Sequence, residues 1–244
     1  MFQSVRFFAK MMLLLLVCFF LQRSVFVVYQ AYFFSGVSFS DYLQSNQHAL
    51  VLDAAASSYI LGIVFVFWIS GMILQKRFLA TAAWWYMVFI VAIVTFIHVV
   101  DLGLYAEWGS KINHKAIACL GYPKQAVAAT LSSPLWLLSG IWVAESALVL
   151  YVYRKWVHPM PVPKGHVALK IVVSVLFAAL LFAGSRGGLQ PQPVRKGDVY
   201  FSNNPMINQA SANSFWNFIN VLASPDANNR QAYQYTTDNA AVEI

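Results

Sequence analysis

The sequence predicts an all-α integral membrane protein with five transmembrane helices. Hydrophobic residues make up 59% of the chain and charged residues only 10%, whereas soluble domains carry about 25% charged residues. The mean hydropathy of +0.60 is difficult to reconcile with a solvated globule. Each of the apolar segments is close to the ~20 residues that a helix needs to cross a bilayer. These segments are residues 11–34, 54–74, 82–105, 135–156 and 168–184.

The first segment, residues 11–34, resembles a signal peptide in one respect, because Arg6 and Lys10 precede an apolar run. It is too long for a signal peptide, and no small-residue cleavage site follows it. Arg23 lies near its middle, at a cost of roughly 2.5 to 3.5 kcal/mol on an insertion scale. The surrounding Leu, Phe and Val residues outweigh that cost. We therefore predict a transmembrane helix that carries a charge.

The third and fourth segments also contain ionisable residues. His98 and Asp101 are three residues apart near the end of the third segment, so they share one face of a helix. Glu145 lies in the middle of the fourth. A pair between Arg23 and Glu145, or a hydrogen bond between Glu145 and His98, would remove most of the desolvation cost. These residues could hold helices together, bind a lipid headgroup or line a path for ions or protons.

The fifth segment, residues 168–184, is the shortest, and it completes the topology. Lys and Arg in short connections are retained on the cytoplasmic side. The connection 35–53 has no Lys or Arg, so we place it outside, with the N-terminus in the cytoplasm and the C-terminal tail outside. Lys111, Lys115 and Lys124 in the connection 106–134 are an exception. The residues on the predicted cytoplasmic side are Arg6, Lys10, Lys76, Arg77, Arg154, Lys155, Lys164 and Lys170.

The connection 106–134 is long enough for structure of its own. Residues 112–120 and 124–131 could form short helices at the outer interface, separated by Gly121, Tyr122 and Pro123. Trp108 is suited to headgroup depth. We expect this connection to seal the bundle, or to contact lipid headgroups or a catalytic domain.

The chain changes character after Gly184. Prolines at 191 and 193 favour an extended backbone. Residues 208–222 then carry apolar side chains at helical spacing, which predicts an amphipathic helix whose apolar face needs the bilayer surface or another domain as a partner. We therefore divide the chain into a transmembrane domain, residues 1–184, and an extracytoplasmic linker, residues 185–244.

Several functional classes are excluded by composition and motif. The net charge of +7 comes from residues at membrane boundaries, so it does not indicate nucleic-acid binding. Cys18 and Cys119 lie at different depths and have no metal-ligand spacing. The sequence contains no Gly-rich phosphate loop, no His-Glu-x-x-His and no nucleophile elbow. We predict no catalytic residue, metal site or cofactor in this chain.

Two groups of residues carry a resemblance to a known family. The first group is Asp101, Tyr105, Trp108-Gly109, Lys111-Ile112-Asn113, Leu120, Pro123 and Thr130-Leu131. The second group is Arg186-Gly187-Gly188-Leu189-Gln190, Val199-Tyr200-Phe201 and Asn213-Ser214-Phe215-Trp216-Asn217. Both resemble the N-terminal region of lipoteichoic acid synthase-like proteins. These are membrane-bound phosphoglycerol transferases of the alkaline phosphatase and sulfatase superfamily, and the likeness is to the branch seen in Gram-negative bacteria.

The resemblance implies a large extracytoplasmic α/β domain that transfers a phosphate-linked headgroup through a Thr or Ser nucleophile on manganese or magnesium. Residues 185–244 are too few for such a domain. We therefore expect the nucleophile and metal ligands to lie outside this chain, and the chain to be a fragment that is inactive alone. Its implied role is to hold the catalytic domain at the outer face of a bacterial inner membrane.

The expected partners are that catalytic domain and phospholipid headgroups, anionic or zwitterionic. Arg186, Lys111 and Asn113 are the candidates to meet lipid phosphate, with Trp108 at the interface. The alternative function is a self-contained transporter subunit or partner-binding scaffold that uses the intramembrane residues Arg23, His98, Asp101 and Glu145.

Overall fold

The computed structural model describes residues 1–31, 37–119, 121–122, 133–162 and 166–224. Within these ranges, five helices are long and apolar enough to cross a membrane, as the sequence predicts. They are α1 Phe2–Tyr29, α2 Phe39–Leu74, α3 Phe78–Trp108, α5 Leu135–Val152 and α6 Val167–Ser185. A π-helical turn, Tyr153–Val157, continues α5. The shorter elements are α4 His114–Cys119, a 3-10 turn Lys196–Val199, α7 Pro205–Ser211 and α8 Ser214–Ala223.

The largest difference from the predicted boundaries is in α2, which begins at Phe39 rather than at residue 54. A capping box fixes this start: Asp41 N donates to Ser38 Oγ over 3.1 Å, and Ser38 N donates to Asp41 Oδ2 over 3.0 Å. The prediction that residues 35–53 form a loop was therefore wrong from Phe39 onward. Residues 32–34 of the first predicted segment and residues 124–131 of the outer connection lie outside the described ranges.

The five long helices run alternately up and down, so the bundle has two ends. We call one end the linker end, because the predicted linker, residues 185–244, begins there; it holds Tyr29, Phe39, Trp108, Leu135 and Ser185. We call the other end the basic end, after the Lys and Arg residues predicted there; it holds Phe2, Leu74, Phe78, Val157 and Val167. Hydrogen bonds tie helices at each end: Gln30 Nε2 donates to Leu102 O at the linker end, and Lys10 Nζ donates to Trp156 O at the basic end. At 1.5 Å per residue, the 36 residues of α2 make a helix about 54 Å long, against a hydrocarbon thickness of ~30 Å.

Helix α2 lies at the centre of the bundle and contacts α1, α3 and α6. Small residues on α2, including Ala55, Ala56 and Ser58, are buried and allow close approach of its neighbours. A Cβ atom at Gly184 of α6 would overlap the Ser58 hydroxyl. The core near the basic end includes an aromatic cluster, with contacts among Phe8, Phe65, Trp68 and Phe177.

The chain leaves α6 in a tight loop that returns it to the bundle. Gly187 has a φ of +79°, and a Cβ atom there would lie 2.6 Å from Val194 Cβ. A residue with a side chain would be strained by both the left-handed backbone and this contact. Val194 N donates to Arg186 O over 2.9 Å and closes the loop.

The prediction of one helix over residues 208–222 was wrong, because this region contains two helices, α7 and α8. Asn213 interrupts the helix: its Oδ1 accepts from Trp216 N over 2.9 Å and so caps the start of α8. Phe215 and Trp216 are buried in the main hydrophobic core. Helix α8 packs on α3, and α7 packs on α2. The apolar face of α8 therefore has the bundle as its partner.

Candidate functional site

A buried ion pair at the linker end joins the first two helices. Arg23 of α1 donates from Nη2 to both carboxylate oxygens of Asp53 of α2, over 3.0 Å and 2.8 Å. The two side chains are only 4% and 2% exposed. Asp53 is close to Arg23 because the early start of α2 extends that helix to the linker end. The pair explains how an arginine is tolerated within an apolar helix.

The other donors of Arg23 extend the ion pair into a network. Nη1 donates to Asn46 Oδ1 over 3.0 Å, and Nε donates to Ala210 O of α7 over 3.1 Å. Asn213 Nδ2 donates to Asp53 Oδ1 over 2.8 Å. The arginine and aspartate thus bind the linker as well as each other. We call Arg23, Asn46, Asp53 and Asn213 the charge network.

Lys111 makes a second set of contacts between the bundle and the linker. Its ammonium donates to Ala212 O over 2.6 Å and to Ser214 Oγ over 3.3 Å, and lies 4.6 Å from the centre of the Phe26 ring. Lys111 is only 4% exposed. Desolvation lowers its pKa to about 8 against the attraction of the nearby Asp101 carboxylate.

Asp101 and Asn217 hold the turn that carries Lys111. Asp101 Oδ1 accepts from Ile112 N over 2.8 Å. Asn217 Nδ2 of α8 donates to Ile112 O over 2.8 Å. The backbone of Ile112 therefore forms hydrogen bonds with a side chain of α3 and with a side chain of the linker. These contacts join the two groups of residues that carry the family resemblance.

His98 and Glu145 form a separate contact between α3 and α5, with 3.0 Å between His98 Nδ1 and Glu145 Oε2. His98 Nε2 and Gln22 Nε2 are buried and have no hydrogen-bond partner in the described part of the chain. Both residues, together with Arg23 and Lys111, border a cavity of about 10 Å³. That volume matches about one water molecule.

The structure decides between the two pairings that the sequence suggests. The bond between His98 and Glu145 is present, but Arg23 pairs with Asp53 and not with Glu145. Glu145 faces α3, whereas Asp53 lies beside Arg23 on the neighbouring helix. The intramembrane candidates thus make three distinct contacts: Arg23 with Asp53, Asp101 with the Ile112 backbone, and His98 with Glu145.

The lipid-interface candidates differ in how far each side chain is buried or hydrogen-bonded within the protein. Lys111 is buried, and Asn113 caps α4 by accepting from Ala116 N over 3.0 Å. Arg186 Nη2 donates to Gln190 O and Pro191 O, over 3.3 Å and 2.7 Å, within its own loop. Trp108 is 41% exposed, with the Lys115 ammonium 5.9 Å from the centre of its ring. Of this set, the Lys111 ammonium is buried and bonded to protein atoms, whereas the Trp108 ring is partly exposed.

Three members of the charge network were not predicted from the sequence: Asp53, Asn46 and Asn213. The Ser38-x-x-Asp41 pattern was a usable signal, because a capping box marks a helix start and would have placed Asn46 and Asp53 on α2. A lone arginine in an apolar span also requires a nearby carboxylate. Asn213 had no comparable signal, because its role depends on how the linker folds back.

The five apolar helices indicate a multi-pass membrane protein, and the chain after α6 is bonded to one end of the helical bundle. Comparison with protein-family models, with curated proteins and with solved structures found no match. The resemblance to lipoteichoic acid synthase-like proteins therefore stays a prediction.

Proposed function

We propose that this chain is the membrane anchor and linker of a lipid-headgroup transferase of the sulfatase-like family. In this role it holds the catalytic domain at the outer face of a bacterial inner membrane. One observation carries the proposal: buried side chains on α1, α2 and the turn after α3 donate to or accept from the linker. These side chains are Arg23, Asp53 and Lys111.

The resemblance supports the proposal because its residues contact one another. Asp101, Lys111 and Ile112 belong to the first resembling group, and Asn213 and Asn217 to the second. Asn217 bonds to Ile112 although they are 105 positions apart in sequence. Short matching stretches that meet in space are more specific than the same stretches taken separately.

A docked linker differs physically from a flexible one. A disordered chain of about 25 residues has a root-mean-square span of roughly 25 to 30 Å, so it would allow a tethered domain to wander over the membrane. A linker bonded to the bundle keeps its last described helix, α8, at one place on the linker end. Fixing a reacting domain beside its lipid donor raises the effective concentration of that donor.

The charge distribution supports the proposed orientation. Lys10, Lys76, Arg77 and Arg154 belong to the basic end, where cytoplasmic retention of positive charge would place them. Lys111 was an exception to this rule in the sequence. Because its ammonium is buried and bonded to the linker, it is not an exposed loop charge. The proposal therefore places the linker end outside.

The test is a headgroup-transfer assay on the product of the intact gene, in membranes with labelled phosphatidylglycerol or phosphatidylethanolamine. We expect transfer that stops when manganese and magnesium are chelated. Asn217→Leu should lower transfer from membrane lipid but spare hydrolysis of a water-soluble phosphodiester, because it loosens the linker only. Asn220→Leu is the matched control, since Asn220 is exposed on the same helix.

Two results would contradict the proposal. One is an absence of metal-dependent transfer from either lipid. The other is a reporter enzyme, fused after Ile244, that is active only in the cytosol.

A further inference from the structure

The basic end contains a second site, on the far side of the bundle from the linker. A cavity of about 300 Å³ lies there, lined by Thr81, Trp84, Arg154 and His158. This volume is at the lower limit of the ~300 to 1,000 Å³ typical of small-molecule sites. Thr81 and Trp84 belong to the first turns of α3, whereas Arg154 and His158 come from the end of α5. The mouth of the cavity is therefore at the boundary of the membrane-spanning region.

The π-helical turn at the end of α5 shapes this cavity. It is closed by His158 N, which donates to Tyr153 O over 2.9 Å. Such turns widen a helix locally and often occur at functional sites. The buried Tyr153 ring stacks on Trp84, with 5.3 Å between ring centres and 15° between planes. Trp84 in turn lies 5.0 Å from the His158 ring. Aromatic packing thus fixes the walls.

The polar groups of the cavity are donors of the kind that bind phosphate. Arg154 is exposed, and a guanidinium matches phosphate oxygens with paired N–H groups. His158 Nδ1 is buried and has no hydrogen-bond partner among the described residues. Burial, followed by the charge of Arg154, lowers the pKa of His158. Both effects favour the neutral imidazole, which can share one proton with a ligand oxygen.

We propose that this cavity binds the phosphate group of an organic phosphate. Two sources share that chemistry: the headgroup of a phospholipid in the leaflet at the basic end, and a water-soluble phosphate ester. The four lining side chains include one full positive charge and no carboxylate, so an anion is favoured over a cation or a neutral ligand. The site is independent of the proposed transferase anchor, because it lies at the opposite end of the bundle.

Native mass spectrometry of the full chain, released from detergent, tests the proposal. The protein is titrated with phosphatidylglycerol in one arm and with glycerol phosphate in the other. Arg154→Gln removes a charged hydrogen-bond donor and should weaken binding about tenfold or more. His158→Ala should weaken binding by a smaller factor. Lys155→Gln is the matched control, because it removes the same charge one residue away, where the ammonium lies over Tyr151.

The two arms separate the sources. Retention of phosphatidylglycerol that depends on Arg154 and not on Lys155 supports the site with a lipid ligand. The same dependence for glycerol phosphate supports it with a soluble ligand. Equal losses in the Arg154 and Lys155 variants would show general charge attraction and overturn the proposal. Binding of both ligands that is unchanged in Arg154→Gln would overturn it too. Unaltered thermal unfolding of Arg154→Gln establishes that this variant is folded.

Discussion

The two ends of the bundle use positive charge in opposite ways. At the linker end, Arg23 and Lys111 are buried and donate hydrogen bonds to backbone carbonyl oxygens of the chain after α6. At the basic end, Arg154 is exposed and borders an open cavity. A buried cation must be matched by fixed acceptors, so it stabilises one arrangement of the chain. An exposed cation beside a cavity keeps its donors available to a ligand.

This difference arises from what covers each end. At the linker end, the extension of α2 and the helices α7 and α8 exclude water from Arg23 and Asp53. At the basic end, Gln75–Arg77 form a short connection between α2 and α3, and its side chains are exposed. The same residue type therefore has a structural role at one end and a proposed binding role at the other.

The largest expected difference in stability between the two ends comes from Asp53→Leu, which leaves Arg23 buried without its carboxylate partner. Removing one partner of a buried pair costs about 3 to 5 kcal/mol. We expect a large fall in the thermal unfolding temperature of the chain in detergent. Arg154→Gln at the basic end should change stability by less than about 0.5 kcal/mol.

The double variant Arg23→Leu/Asp53→Leu is the control for this prediction. Removing both charges should recover much of the stability, because no uncompensated charge stays buried. Equal destabilisation by Asp53→Leu and Arg154→Gln would mean that the two ends do not differ.

Gly187→Ala should have the next largest effect, because the exit loop returns the linker to the bundle. The left-handed φ of +79° and the contact with Val194 together oppose a side chain, at a cost of roughly 2 kcal/mol. Limited proteolysis after α6 should become faster. Gly197→Ala is the matched control, since a Cβ atom there meets open space. Equal protection of both variants would show that the loop does not fix the linker.

The buried state of Lys111 predicts a dependence of stability on pH. Desolvation lowers the Lys111 pKa from 10.5 to about 8 in the folded chain. Between these values the unfolded chain binds more protons, so stability should rise with pH, by at most about 1.4 kcal/mol per pH unit. Below pH 8 both states are protonated and the contribution is constant.

Thermal unfolding of the wild type and of Lys111→Met, compared from pH 7 to pH 10, measures this effect. The advantage of the wild type over the variant should increase above pH 8. Lys196, whose pKa is also lowered by desolvation, is present in both proteins and does not enter the difference directly. A difference that does not change with pH would mean that Lys111 is solvated in the folded chain and that the linker end is open.

The smallest expected effect concerns an ordinary hydrogen bond between helices, which gives a reference for the stability loss caused by Asp53→Leu. Thr95 Oγ1 and Ser146 Oγ are 2.7 Å apart between α3 and α5. Interhelical hydrogen bonds of this kind contribute about 0.6 kcal/mol on average. Ser146→Ala should therefore lower stability far less than Asp53→Leu in the same unfolding assay. A loss as large as that of Asp53→Leu would mean that the charge network contributes no more to stability than an ordinary hydrogen bond between helices.

The sequence by itself determined the number and approximate location of the membrane helices. Apolar length is a local property, and a segment such as residues 82–105 is recognisable without knowledge of its neighbours. The pairing of His98 with Glu145 was also accessible, because few polar residues lie within the spans and each must reduce its own desolvation cost.

Only the tertiary structure decided which charge neutralises Arg23 and how the linker is held. Asp53 became its partner because α2 continues past the membrane-spanning length, and Asn213 joined them because the chain folds back after Gly187. Likewise, the sequence predicts only that Arg154 lies on the cytoplasmic side of the membrane. Its position beside a cavity arises from the packing of α3 against α5. The physical reason is that desolvation and ion pairing depend on all surrounding groups, which come from distant parts of the chain.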